Sequence, residues 1–77
     1  MKKYIDVVCE MKSTGKVVPL CIIWENGHKY AIDKVKEIKR AASLKVGGVG
    51  LRYEVFISGN LRYLFLDEYR WYIEVEN

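Results

Sequence analysis

Leu51-Arg52-Tyr53-Glu54-Val55-Phe56-Ile57, then Ser58-Gly59-Asn60, then Leu61-Arg62-Tyr63-Leu64-Phe65-Leu66: this stretch decides the fold. A side chain returning to the same face at every second position is the period of a half-buried strand, not of a helix. Ser58-Gly59-Asn60 is turn chemistry, so the two runs read as a hairpin. A third alternating run, Trp71-Tyr72-Ile73-Glu74-Val75-Glu76, follows a short polar break. The class is therefore β-rich.

The same grammar holds further upstream. Tyr4 to Met11 alternates, with Ile5, Val7, Cys9 and Met11 on one face and Tyr4, Asp6, Val8 and Glu10 on the other. Lys12-Ser13-Thr14-Gly15-Lys16 is a polar turn. Val17 to Trp24 is nearly all apolar, which predicts a strand covered on both faces. Within it, Pro19 has no N–H to donate and points to a strand beginning or an edge. Glu25-Asn26-Gly27-His28 reads as a hairpin turn of type I′, with His28-Lys29-Tyr30-Ala31-Ile32 returning. Asp33 to Leu44 leaves two readings open. Ile32, Val35, Ile38 and Ala42 form a stripe at helical spacing behind a possible N-cap, Asp33. The same residues can instead extend the preceding strand through a bulge at Lys34-Val35, and the long bent strand is favoured. Val46-Gly47-Gly48-Val49-Gly50 links this segment to Leu51.

Seventy-seven residues make one domain without repeats, low-complexity tracts or an internal boundary. The 51% hydrophobic and 13% aromatic content argues against disorder. Five or six antiparallel strands in so short a chain must curl, because a flat sheet leaves one aromatic face wet and two edges open. The expected fold is all-β, or mostly β with one short helix. It is a small curled antiparallel sheet or partly closed barrel of the SH3-like or OB-like kind.

Net charge is +3, unevenly spread. Between Lys34 and Arg52 stand Lys34, Lys36, Lys39, Arg40, Lys45 and Arg52 against the single acid Glu37, a local +5. From Asp67 onward, Asp67, Glu68, Glu74 and Glu76 face Arg70 alone, a local −3. A basic stretch is a candidate footprint for nucleic acid, and the polarity also suits self-association. Arginine–aromatic pairs recur as Arg52-Tyr53, Arg62-Tyr63 and Arg70-Trp71, one per C-terminal strand. If Tyr53, Tyr63 and Trp71 are core, then Arg52, Arg62 and Arg70 align on the outside. Such a row can meet phosphates, although aromatics held inside cannot stack on bases. Core aromatics with solvated arginines is the plainer reading.

Catalytic chemistry finds no constellation. His28 is the only histidine, so no His pair or three-His metal site exists within one chain. Ser13, Ser43 and Ser58 lack a nucleophile-elbow context. Asp67 and Glu68 are adjacent and would point apart in extended backbone. Gly47, Gly48 and Gly50 lack the spacing of a phosphate loop, although Lys45 and Arg52 beside them make the loop the best anion site on the chain. Cys9 and Cys21 sit in apolar alternations, where reduced thiols behave as small buried hydrophobes. With His28 they would still need a fourth ligand for a metal. Met1-Lys2-Lys3 runs into a strand carrying Asp6 and Glu10 rather than an apolar signal core, and no run is long enough to span a bilayer. A cytoplasmic protein without cofactor is expected.

One wider pattern covers nearly the whole chain after Val17. It runs through Pro19, Ile23-Trp24, Gly27, Tyr30 and Ile32-Asp33-Lys34-Val35. It continues through Ala42-Ser43-Leu44-Lys45, Gly47-Gly48, Gly50, Arg52-Tyr53, Val55, Ile57, Gly59, Leu64-Phe65 and Trp71, and ends at Ile73-Glu74. It resembles a family of small, uncharacterised proteins of Firmicutes bacteria. The resemblance implies a free-standing cytoplasmic domain and brings no catalytic or binding residues with it. Asp33, Ser43, Lys45 and Arg52 are the positions of the pattern that core packing does not require.

The expectation is a non-catalytic binding module. Lys34, Lys36, Lys39, Arg40, Lys45, Arg52 and Arg62 would meet an anionic partner, nucleic acid first. The alternative is a protein–protein or self-associating homodimeric module whose basic middle docks on an acidic tail.

Overall fold

The computed structural model describes residues 1–42 and 49–76. The alternating runs become seven strands: β1 (Lys2–Met11), β2 (Val17–Ile23), β3 (Lys29–Ala31), β4 (Lys34–Ala42), β5 (Val49–Ile57), β6 (Asn60–Asp67) and β7 (Arg70–Glu74). All join one antiparallel sheet in the order β3-β2-β1-β7-β6-β5-β4, curled into a half-barrel. The seventh strand arises because the long bent strand expected after His28 divides at Ile32-Asp33 into β3 and β4.

That division is what curls the sheet. β3 and β4 are consecutive in the chain yet lie at opposite edges. Ile32 N–H donates to the Leu20 carbonyl at 2.9 Å, continuing the ladder with β2. Asp33 N–H donates to the Phe56 carbonyl at 2.8 Å, opening the ladder with β5. Neighbouring residues thus bond to both ends of the sheet, which cannot then lie flat.

No helix forms over 34–42, and the helical spacing has a different cause. The β4–β5 register is Val35↔Val55, then Glu37↔Glu54 and Ile38↔Tyr53. Lys36 is the extra residue of a bulge, so Val35 and Ile38 face inward although three apart. Residues 43 and 44, the rest of the ambiguous segment, lie outside the described residues, as do Lys45, Gly47 and Gly48. Gly50 is a strand residue, opposite Ala41 on β4 and Asp67 on β6.

The turns follow their residues. Ser58 and Gly59 both take positive φ, 50° and 77°, between the paired Ile57 and Asn60. This is the two-residue type I′ connection that matches the twist of its strands. The Asn-Gly turn is not of that type. Trp24 N–H donates to His28 O and Gly27 N–H to Trp24 O, and only Gly27 has positive φ. That is a three-residue loop closed by a left-handed glycine, and Lys12–Lys16 repeats it with Gly15.

Inside the curl lie Ile22, Tyr53, Val55, Leu64 and Trp71, the buried core. Tyr53 and Trp71 pack with ring centroids 5.0 Å apart. The Tyr53 hydroxyl donates to the Val17 carbonyl at 2.6 Å, tying β5 to the start of β2 across the interior. Pro19 is interior to β2 rather than at its beginning, and it is fully buried. It faces Cys9 at an irregularity where the register skips Leu20, so a ladder position without an N–H is absorbed. Two burial expectations fail because the fold has one layer. Leu20 is exposed on the apolar strand, and Cys9 is exposed because β7 flanks β1 only as far as Ile5.

Burial pushes the Tyr53 phenol above its ordinary value of 10.0, with Cys9 adding to the effect. A raised phenol contributes stability that is intact below the unfolded value and lost as pH climbs through the folded one. Chemical denaturation of the wild type should therefore show stability falling above pH 10.0 more steeply than in Tyr53→Phe. At neutral pH Tyr53→Phe should be less stable by about 1 kcal/mol, from the lost bond to Val17. Equal stabilities at neutral pH would place the hydroxyl in water.

Candidate functional site

Cross-strand register sorts the basic and aromatic side chains between the two faces. On β5 the inward residues are Tyr53 and Val55, so Arg52, Glu54 and Phe56 face out. Leu64 lies opposite Tyr53, and Tyr63 opposite Glu54. Tyr63 is therefore an outer residue, 45% exposed, and not core. Arg62 lies opposite Val55 and shares the inner face. The outside row of three arginines does not form: Arg52 and Arg70 are outside, Arg62 is not. The cause is parity. The turn pairs Ile57 with Asn60, which puts Arg62-Tyr63 out of phase with Arg52-Tyr53.

Tyr63, Phe65, Tyr72 and Tyr4 form a row on the outer face instead. Phe65 pairs with Tyr72, and Tyr72 with Tyr4. The Phe65 and Tyr72 rings stack at 4.9 Å, 10° from parallel, and Tyr4 meets Tyr72 edge-on at 5.8 Å. Tyr63 completes the group two residues before Phe65. Cations lie against the rings: Arg70 over Tyr4 at 4.1 Å, Lys2 over Tyr72 at 4.6 Å and Arg52 over Tyr63 at 5.4 Å. Burial raises the Tyr72 phenol above its ordinary value; Lys2 opposes this, while Glu74, Asp67 and Tyr4 add to it.

Lys39 lies directly opposite Arg52 on the same face, and Lys34 opposite Phe56. Like charges face to face across a ladder repel, and an anion between them would relieve this. Glu37 offsets part of it, 3.6 Å from Lys39. The Arg52 Nε is buried without a hydrogen-bond partner, and so is one oxygen of Glu54, a side chain buried between its neighbours on the outer face.

The seven basic residues thus divide. Lys34, Lys39 and Arg52 come together on the outer face; Arg40, opposite Leu51, and Arg62 lie on the inner one. Lys36 sits at the bulge, exposed, and Lys45 lies outside the described residues. Lysines along an edge strand also have a structural role, since they discourage edge-to-edge pairing with another sheet. Sequence reading did not single out Tyr4, Phe65, Tyr72, Lys2 and Arg70 as one surface. The alternation in each strand held the signal, but the pairing of β1 with β7 did not show in it.

An open groove of about 810 Å³ is lined by inner-face residues and by the outer-face Arg52, Tyr63 and Phe65. Among its lining residues are Ile5, Ile22, Trp24, Tyr30, Arg62 and Ile73. His28 is an exposed turn residue, its ring 4.5 Å from that of Tyr30. Among the described residues no cluster of His, Cys, Asp and Glu could hold a metal ion, and no helix is long and apolar enough to cross a membrane.

Compared with family models, with curated proteins and with solved structures, the chain matches none.

The face assignment has a direct consequence for two adjacent residues. Leu64→Ala should lose about 2–5 kcal/mol, as for a filled core position. Tyr63→Ala should change stability by about 0.5 kcal/mol or less, as for a surface position. Urea unfolding of both variants checks this, and a reversed order would invert the register of β6.

Proposed function

We propose that this protein is a non-catalytic, cytoplasmic module that binds single-stranded nucleic acid on the outer face of its half-barrel. The observation that carries the reading is the row Tyr63, Phe65, Tyr72 and Tyr4, on a sheet face with Arg52, Arg70 and Lys2 against the rings. Every base has a π-face, so exposed rings on a rigid sheet accept bases in any order, each stack contributing about 1–3 kcal/mol. Bases in a duplex are already stacked on each other, which favours a single strand. Lys34, Lys39 and Arg52 flank the rings on one side and supply the cations that meet phosphates. Arg40 and Arg62 take no part, being on the other face.

The charge of this surface sets the form of the test. Three phosphate contacts imply that the logarithm of affinity falls with the logarithm of salt at a slope of about −2 for a single strand. Fluorescence anisotropy of a labelled oligothymidylate, titrated at several salt concentrations, should give that slope. Lys39→Ala should reduce its magnitude by about 0.7. Tyr63→Ala should weaken binding about tenfold with the slope unchanged. No binding at about 50 micromolar protein in low salt would exclude the reading, since even non-specific contacts reach that range.

A further inference from the structure

We propose that the groove is a second site, adjoining the first at Arg52, Tyr63 and Phe65, that takes a small amphiphile with an apolar tail and a carboxylate head. Its interior side is aliphatic: Ile5, Ile22, Leu64 and Ile73 all line it. Trp24 and Tyr30, from the β2–β3 hairpin, line it as well. The volume of about 810 Å³ lies within the range of natural small-molecule sites. Ile5 and Ile73 are half-buried and keep apolar surface open to the groove, while Ile22 and Leu64 are buried.

The charge at the groove identifies the head group. Arg62 lines it, and the register sets that side chain on the inner face beside Val55. Its guanidinium takes part in none of the ion pairs among the described residues. Lys3, the other inner-face cation near Trp24, is engaged by Glu25 at 3.0 Å. Glu74 also lines the groove, but it lies opposite Lys2, which places its side chain on the outer face. The free charge of the groove is therefore positive. A planar guanidinium pairs with a carboxylate through two parallel hydrogen bonds. An alkyl tail would lie on Ile5 and Ile73, beside the buried Ile22 and Leu64. Arg52 also lines the groove and takes part in none of those ion pairs, so it adds to the positive charge.

The test is a titration of the full chain with decanoate, followed by NMR of methyl-labelled isoleucine and leucine. Saturable shifts at Ile5, Ile22, Leu64 and Ile73 are expected, with a dissociation constant of about 1 mM or tighter for a ligand of this size. Arg62 is exposed, so Arg62→Ala should fold normally; its affinity should fall about tenfold through loss of the charge-assisted contact. Decyltrimethylammonium, with the same tail and opposite head, should bind more weakly than decanoate. Absence of saturation by about 5 mM decanoate, equal affinity for the two heads, or unchanged affinity in Arg62→Ala would each overturn the proposal. Lys34, Lys39, Tyr4 and Tyr72 are not among the groove's lining residues, so oligonucleotide binding through them can fail while this site stands, and the reverse.

Discussion

Ile32 and Asp33 are neighbours in the chain and hydrogen-bond to opposite ends of the sheet, one to Leu20 and the other to Phe56. Everything else in the structure follows from satisfying both bonds at once. The sheet must bend until β2 and β5 are brought round to a single peptide link. The bend gives it an inside, and that inside is where the Tyr53 hydroxyl reaches Val17 and its ring meets Trp71. A chain of this length cannot build a second layer to cover a flat sheet. By rolling, it lets one face bury itself, and among the described residues Ile22, Tyr53, Val55, Leu64 and Trp71, from four strands, form the buried core.

The alternation of each strand was legible in the sequence because one face is buried, and period-two patterning is what burial imposes. Tyr53 and Trp71 were assigned to the interior on that basis, and they are there. What alternation cannot supply is the phase between strands. Tyr63 looked like a core residue because it follows an arginine as Tyr53 does. The two-residue turn at Ser58-Gly59 reverses that phase, so Arg62 goes inside and Tyr63 outside. The segment after Asp33 misled for a related reason. A bulge at Lys36 spaces Val35 and Ile38 as a helix would, and composition does not distinguish a bulged strand from a helical turn. The exposure of Cys9 and Leu20 was hidden as well, since a stretch of apolar residues does not reveal that the sheet has one layer.

The phase reversal matters for function because it changes which chemistry shares a surface. With Tyr63 inside, the arginines would be bare cations on a polar face. With Tyr63 outside, Arg52 lies over its ring, and Phe65, Tyr72 and Tyr4 continue the row across β7 to β1. The proposed nucleic-acid surface depends on that geometry more than on the net charge of the middle of the chain. The charge run itself is dispersed, because β4 alternates like any strand and sends Arg40 to the face opposite Lys39. The same parity delivers Arg62 to the groove, so the two proposed sites share one origin in the Ser58-Gly59 turn and meet at Arg52, Tyr63 and Phe65.

The most direct measurement is a nuclear Overhauser map of the aromatic rings in the isotope-labelled protein. The account predicts contacts from the Tyr53 ring to both Val17 and Trp71, together with contacts from the Tyr63 ring to the Arg52 side chain and none from Tyr63 to Trp71. A Tyr63 ring in contact with Trp71, or a Tyr53 ring without any contact to β2, would contradict it.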